Sequence, residues 1–305
     1  MNNLNETEKK EKKSKIFLIK ESSSNHTKDV EGISKWMGKN FSISERQYFA
    51  GMMDGDGYIG VRIPKNRKNL KLSVVLELRH DHAEPVYRLA ELFDLSISKR
   101  IYLVAKNTQP SVKVELSGVK ARLFLICIYP YMLEKKKRTK EILVKLDCPE
   151  KHLPDTREFS LEYLAGYIDA EGSVCFKLLH TKTKTGKIGS CYRYYLTLSS
   201  NDGDHLQYIK QNLIKLGYDH FRKDFVNTYK KEKAKTKLPA RKNTNPDKWK
   251  DTTNVILGGN PKQLSKFYKK IEPFMLIKHK KDNMKSTITY NSVIFERVNE
   301  NKQTV

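Results

Sequence analysis

Two ten-residue stretches, YFAGMMDGDG at 48–57 and YLAGYIDAEG at 163–172, agree at Tyr, Ala, Gly, Asp and the closing Gly, and both keep an acid in the penultimate place. They stand 115 residues apart, a domain-sized interval far beyond the short periods of stacked solenoids. A chain with such a repeat is expected to fold as two similar halves. Each copy reads as a helix whose smallest residues, Ala50 with Gly51 and Ala165 with Gly166, lie together. Small residues let two helix backbones approach closely, so the copies are expected to pack on each other at a pseudo-twofold axis.

The acids need a separate explanation. Asp54, Asp56, Asp169 and Glu171 fall where the helices end, and negative charge at a helix C-terminus is unfavourable by about 0.3–1 kcal/mol each. Converging helix ends would also bring Asp56 and Glu171 together, a repulsion that a hard divalent cation with oxygen ligands relieves. This predicts metal-dependent phosphate chemistry. A lone D-G-D-G run would read as a turn, but the second copy argues against that. A calcium loop is rejected because Tyr58 stands where an oxygen ligand is required and no Glu closes the loop. Glycine-rich phosphate cradles are absent, so neither nucleotide hydrolysis nor a dinucleotide cofactor is suggested.

The rest of each half follows the same order. After the first motif come strands at GYIGVRI and LKLSVVLEL, a helix at HDHAEPVYRLAELFDL, strands at KRIYLVA and SVKVEL, and a helix through ARLFLICIYPYMLEKKKR. The second half gives SVCFKLL, RYYLTLSS, NDGDHLQYIKQNLIKLG, HFRKDFVNTY, TTNVILGG and KQLSKFYKKIEPFMLIKHKK. Both read αββαββα, an α+β fold of two pseudo-symmetric halves, each with an antiparallel sheet. PYMLEKKK matches PFMLIKHK and sets Lys135 opposite Lys278. Ser44 with Gln47 is expected to cap the first motif helix. The domains expected are a basic N-terminal extension over 1–40, a first half over 41–150 and a second over 151–305. The charged, apolar-poor residues 1 to about 25 read as a tail. The second half is lengthened at HTKTKTGKIGSC and at the basic loop KKEKAKTKLPARKNTNPDKWKD, a candidate phosphate contact.

Charge identifies the partner. Lys and Arg number 59 against 35 Asp and Glu, a formal +24 over 305 residues, so a large partner should be a polyanion, with nucleic acid first. With no apolar run of membrane-spanning length and no apolar signal core, neither spanning nor secretion is expected, and the chain is read as intracellular. Cys127, Cys148, Cys175 and Cys191 form no C-x-x-C pair, which favours reduced thiols over disulfides or zinc.

The doubled FAGMMDGDG and LAGYIDAEG, in a chain of two αββαββα halves, resemble the single-chain LAGLIDADG homing endonucleases over roughly residues 40–295. The resemblance implies cleavage of both strands of a DNA duplex with Mg²⁺ or another divalent cation, the metal held by Asp56 and Glu171. It gives Asp54 and Asp169 a role in helix-end structure, puts the basic residue of each catalytic site on Lys135 and Lys278, and assigns the residue that orders the site's water to His80 and Asn201. His80 departs from the amide often found there.

Strand geometry sets the reach. About 10 residues rising about 3.3 Å each span roughly 10 base pairs, so two halves cover a duplex of about 20. In the first strands Tyr58, Arg62, Lys71, Ser73 and Glu77 share the face expected to meet the major groove; in the second half Ser173, Cys175, Lys177, Arg193, Tyr195 and Thr197 do. Ile59, Val61, Leu72, Val74, Val174, Phe176 and Leu196 are expected in the core. The halves differ, so an asymmetric target and a monomer are expected. The rival readings are an intron maturase that binds intron RNA and a catalytically silent DNA-binding protein; intact acids in both motifs argue against the latter. An intein is not expected, since the chain opens on Met1 and ends on Val305 without the splicing residues.

Overall fold

The computed structural model describes residues 40–62, 71–100, 110–148, 153–155, 158–182, 188–219, 253–258 and 261–303. The first motif lies on helix α1 (Ile43–Gly55), opened by a capping box in which Ser42 and Glu45 satisfy each other's backbone N–H groups at 3.2 and 3.0 Å. The cap is therefore Ser42 with Glu45, not Ser44 with Gln47. Both registers fit the S-x-x-E/Q pattern, but only Glu45 puts a negative charge in the first turn, where the dipole favours it. Glu45 also receives the Arg88 Nε–H at 2.9 Å, tying α1 to α2 (Glu84–Phe93). The second motif helix, α5 (Leu161–Glu171), starts at Ser160, whose hydroxyl accepts the Tyr163 N–H at 3.0 Å.

Each half pairs its helices with an antiparallel sheet. In the first half β1 (Tyr58–Arg62), β2 (Lys71–Arg79), β4 (Ser111–Ser117) and β3 (Ser98–Arg100) lie in that order. In the second, β5 (Gly172–Lys182), β6 (Ile188–Ser200) and β7 (Thr253–Leu257) do. Registers such as Ser73 opposite Ser117 and Ser173 opposite Thr197 put polar residues on one face. Ile59, Leu72, Val74, Leu76, Val112 and Val114 on the other face are buried, as the period of two requires. The expected strand HFRKDFVNTY, most of KRIYLVA, the tail and the basic loop fall outside the described residues.

The single helix expected to close each half is two helices. In the first half α3 (Gly118–Ile128) and α4 (Lys136–Lys145) are separated by a 3₁₀ turn over Tyr129–Tyr131. In the second, α7 (Pro261–Ile271) and α8 (Lys278–Gln303) are separated by one over Glu272–Phe274. Pro130 and Pro273 are the cause, each lacking the N–H that a continuing helix needs. Between the halves' two sheets run α1 and α5, which cross where neither has a side chain. A Cβ on Gly51 would collide with the Tyr163 carbonyl, and one on Gly166 with the Tyr48 carbonyl. Helix α6 (Gly203–Lys215) follows β6.

Candidate active site

The crossing of α1 and α5 sets four carboxylates in two layers. In the inner layer Asp54 and Asp169 are each 1% exposed. Asp54 accepts the Leu133, Glu134 and Lys135 N–H groups at 2.7, 3.0 and 2.8 Å, and the hydroxyl of Tyr163 from the other half at 2.8 Å. Asp169 repeats the pattern with the Leu276 and Ile277 N–H groups at 2.8 and 3.1 Å and the Tyr48 hydroxyl at 2.7 Å. Each half thus donates a tyrosine hydroxyl to the other's aspartate. On Asp54 the donors reach both oxygens and offset the cost of burying charge at a helix C-terminus; on Asp169 all three reach Oδ2, Oδ1 has no hydrogen-bond partner, and burial still pushes the carboxyl up to about 6.

In the outer layer stand Asp56, the C-cap of α1, and Glu171, the last residue of α5; both are exposed. The helix ends that carry them meet: a Cβ on Gly55 would collide with Ala170 Cβ and lie 3.0 Å from Glu171 Cγ. Water reaches Asp56, yet the packed helix ends around it and the nearby Glu171 push its carboxyl up to about 6, against the pull of Lys280 and Lys135. Burial also raises Glu171, opposed by the same two lysines. Two carboxylates held side by side at packed helix ends are what an added cation relieves.

The lysines cap the motif helices. Lys135 Nζ donates to the carbonyls of Met53, Gly55 and Gly57 at 2.8, 2.8 and 2.7 Å. On the other side, Lys280 Nζ donates to Ile168 and Asp169 at 2.9 and 2.7 Å. The orphan carbonyls of each helix end therefore meet a cation, the charge the dipole favours there. Burial lowers the pKa of both lysines, and the surrounding carboxylates oppose it.

The sequence match set Lys278 in this place, and the structure does not bring it there. Lys278 is the exposed first residue of α8, and its backbone N–H meets Glu84 at 3.4 Å. Lys135 lies just before its helix while Lys280 lies inside one, so matching letters did not match the direction of the side chains. Sequence reasoning missed Lys280, though it sits two residues on in the same KHKK run. His80, exposed, opens the 3₁₀ turn His80–His82, and its N–H donates to the Pro110 carbonyl at 2.8 Å. Asn201 is exposed at the end of β6.

Beside Asp56 lies a concavity of about 350 Å³ lined by Asp56, Tyr58, Ser73, Val75, Glu77, Lys113 and Glu115. The expected Tyr58, Ser73 and Glu77 line it; Lys113 and Glu115 were missed, because strand β4 was not assigned a groove face. Lys71 and Arg62 continue the same face at the far end of the β1–β2 pair. In the second sheet Ser173 stands opposite Thr197, Cys175 opposite Tyr195 and Lys177 opposite Arg193. The side chains of Arg62, Lys177 and Arg193 are outside the described set.

No family model matches this sequence, and no curated protein does. Solved structures do. The LAGLIDADG homing endonuclease I-LtrWI bound to target DNA aligns at a TM-score of 0.51 and 13% identity, over 82% of this chain and 91% of its own. I-GzeII, a LAGLIDADG homing endonuclease in complex with a DNA target, gives 0.51 and 13% over 85% and 94%. The LAGLIDADG meganuclease I-AabMI bound to uncleaved DNA gives 0.50 and 13% over 83% and 92%. The chain has the fold of these single-chain LAGLIDADG proteins, α+β with two antiparallel sheets.

Proposed function

We propose that this chain, built on that fold, is a site-specific DNA endonuclease that cuts both strands of an asymmetric duplex of about 20 base pairs as a monomer, with Mg²⁺ or another divalent cation. The observation that carries the reading is the outer pair, Asp56 and Glu171, exposed at the meeting C-terminal ends of the two motif helices, where Glu171 raises the Asp56 carboxyl. The +24 charge and the polar sheet faces support a duplex partner.

The residues fit a metal in a specific way. Among the described residues no group of three or more His, Cys, Asp or Glu side chains gathers as a ligand set. Two carboxylates suit Mg²⁺, which commonly keeps waters and takes its remaining ligands from substrate phosphates. The bound ion supplies Lewis-acid polarisation of the phosphate and activation of water. Asp56 and Glu171 would hold the ion, which in turn would meet the scissile phosphates. Lys135 and Lys280 add positive charge where the phosphorane charge develops. The sheet faces hold register by phosphate contacts and read bases with Ser73, Glu77, Tyr195 and their neighbours. His80 and Asn201 are the candidates to order water.

The test is selection of cut sites from a randomised duplex library with purified protein and Mg²⁺. One long asymmetric consensus, lost in Asp56→Asn and Glu171→Gln, supports the reading; no cutting under any divalent cation overturns it.

A further inference from the structure

The two lysine-bearing segments are anchored differently. Both are held by an inner aspartate and both reach the opposite half: at the start of α8 the Lys278 N–H meets Glu84 at 3.4 Å and His279 stacks on His82 at 4.1 Å, whereas the loop before α4 sets a carboxylate among side chains of the other half. The Glu134 carboxylate lies 3.2 Å from the Tyr167 hydroxyl and 3.8 Å from His205 Nε2, with Ser200 beside it. His205, 5% exposed, is also 3.4 Å from the Tyr163 hydroxyl that serves Asp54. These partners belong to the opposite half and to its functional elements. Tyr167 is one turn before Glu171 on α5, Ser200 precedes Asn201, and His205 lies in the first turn of α6. At the pseudo-symmetric positions stand Ile277 for Glu134 and Met52 for Tyr167, which cannot form this bridge. Lys135 donates two bonds to its motif helix and a third to Gly57 just beyond it, whereas Lys280 donates two to its own.

We propose that Glu134, Tyr167 and His205 are positioning residues that clamp Lys135 to the motif helix carrying Glu171, so that the two cutting positions are unequal and one strand is cut first. The inference rests on the nuclease reading for its consequence, not for the clamp itself. A preorganised lysine favours its own position, since misplacement by about 1 Å can cost roughly 100-fold. The clamp belongs to one side only.

The test follows both strands of a labelled duplex in single-turnover cleavage, alongside ¹H–¹⁵N NMR of the lysine ammonium groups without DNA. In the wild type a nicked intermediate with one particular strand cut should build up. Glu134→Leu and Tyr167→Phe should slow that strand about 10- to 100-fold and the other far less, while Glu134→Gln, which still accepts a hydrogen bond, restores most of the lead. The Lys135 ammonium signal should be protected from exchange in the wild type and lost in Glu134→Leu, with that of Lys280 retained. Tyr167→Phe provides the reading if Glu134→Leu does not fold. Equal slowing of both strands in step with melting temperature, or an unchanged strand ratio and ammonium signal, overturns the clamp. A wild type that cuts no DNA yet loses the Lys135 signal in the variant overturns the nuclease reading and leaves the clamp standing.

Discussion

Asp54 and Asp169 are buried and accept N–H and O–H donors, whereas Asp56 and Glu171, two residues further along the same helices, are exposed; Glu171 raises Asp56, and Lys135 and Lys280 pull both carboxyls down. One half-turn of helix separates acids that hold the molecule together from acids it holds at a cost. The first pair is where neutralising a charge should damage the fold, and the second is where it should damage only the chemistry.

The sharpest way to break this comparison is to exchange the expected phenotypes. Asp54→Ala leaves three backbone N–H groups and the Tyr163 hydroxyl without their acceptor. It should cost about 3–5 kcal/mol, as loss of one partner from a buried charged cluster does. Denaturant unfolding measures this, and a loss under about 1 kcal/mol would mean the inner layer is not structural. Asp56→Asn and Glu171→Gln should each slow cleavage by at least about 100-fold, while specific binding in a gel-shift titration stays near wild type. Their metal-free melting temperature should hold or rise, because a charge at a helix C-terminus is removed.

The lysines sharpen the comparison at the next level. Lys280→Met should slow cleavage about 10-fold and lower stability by about 1 kcal/mol, since two carbonyls at the end of α5 lose their cation. Lys278→Met, exposed on the first turn of α8, should leave the melting temperature unchanged and cleavage within about twofold. Equal effects from both would restore the pairing that the sequence match implied.

The smallest expected effect is on pH. Asp56 is raised to about 6 in the folded protein, so the native state holds that proton more tightly than the unfolded chain. Its ionised form therefore weakens the metal-free protein above about pH 6, and this penalty fades as the pH falls toward the ordinary carboxylate range. Glu134, pushed up to about 7 by burial and by Asp54, acts in the same direction. His82 and His279, stacked at 4.1 Å and lowered chiefly by burial, act in the opposite one. The difference between wild type and Asp56→Asn isolates the term: their melting temperatures should converge as the pH falls from 7 to 5. Cleavage, which uses the ionised carboxylate, should fall over that same range.

Much of this was legible in the sequence because a repeat reports symmetry directly. Ala50–Gly51 and Ala165–Gly166 gave the helix crossing, and alternation in β2 separated Ser73 and Glu77 from Val74 and Leu76. What the sequence did not carry was direction. The KKK and KHKK runs each offer several lysines, and which Nζ returns to its motif helix depends on where the following helix begins. Nor was Glu134 visible, because its partners Tyr167, Ser200 and His205 are brought to it only by tertiary packing of the other half.

The crossed bonds of Tyr48 to Asp169 and Tyr163 to Asp54 have a consequence for how such a chain could be cut and rejoined. Each half carries one donor and one acceptor of the lock, together with the glycine that lets the helices touch. The lock is therefore self-complementary: Tyr48 of one first half and Asp54 of another are the same two parts. Separating the halves leaves both unsatisfied, but two identical halves, or halves taken from different chains, present every group that the junction requires.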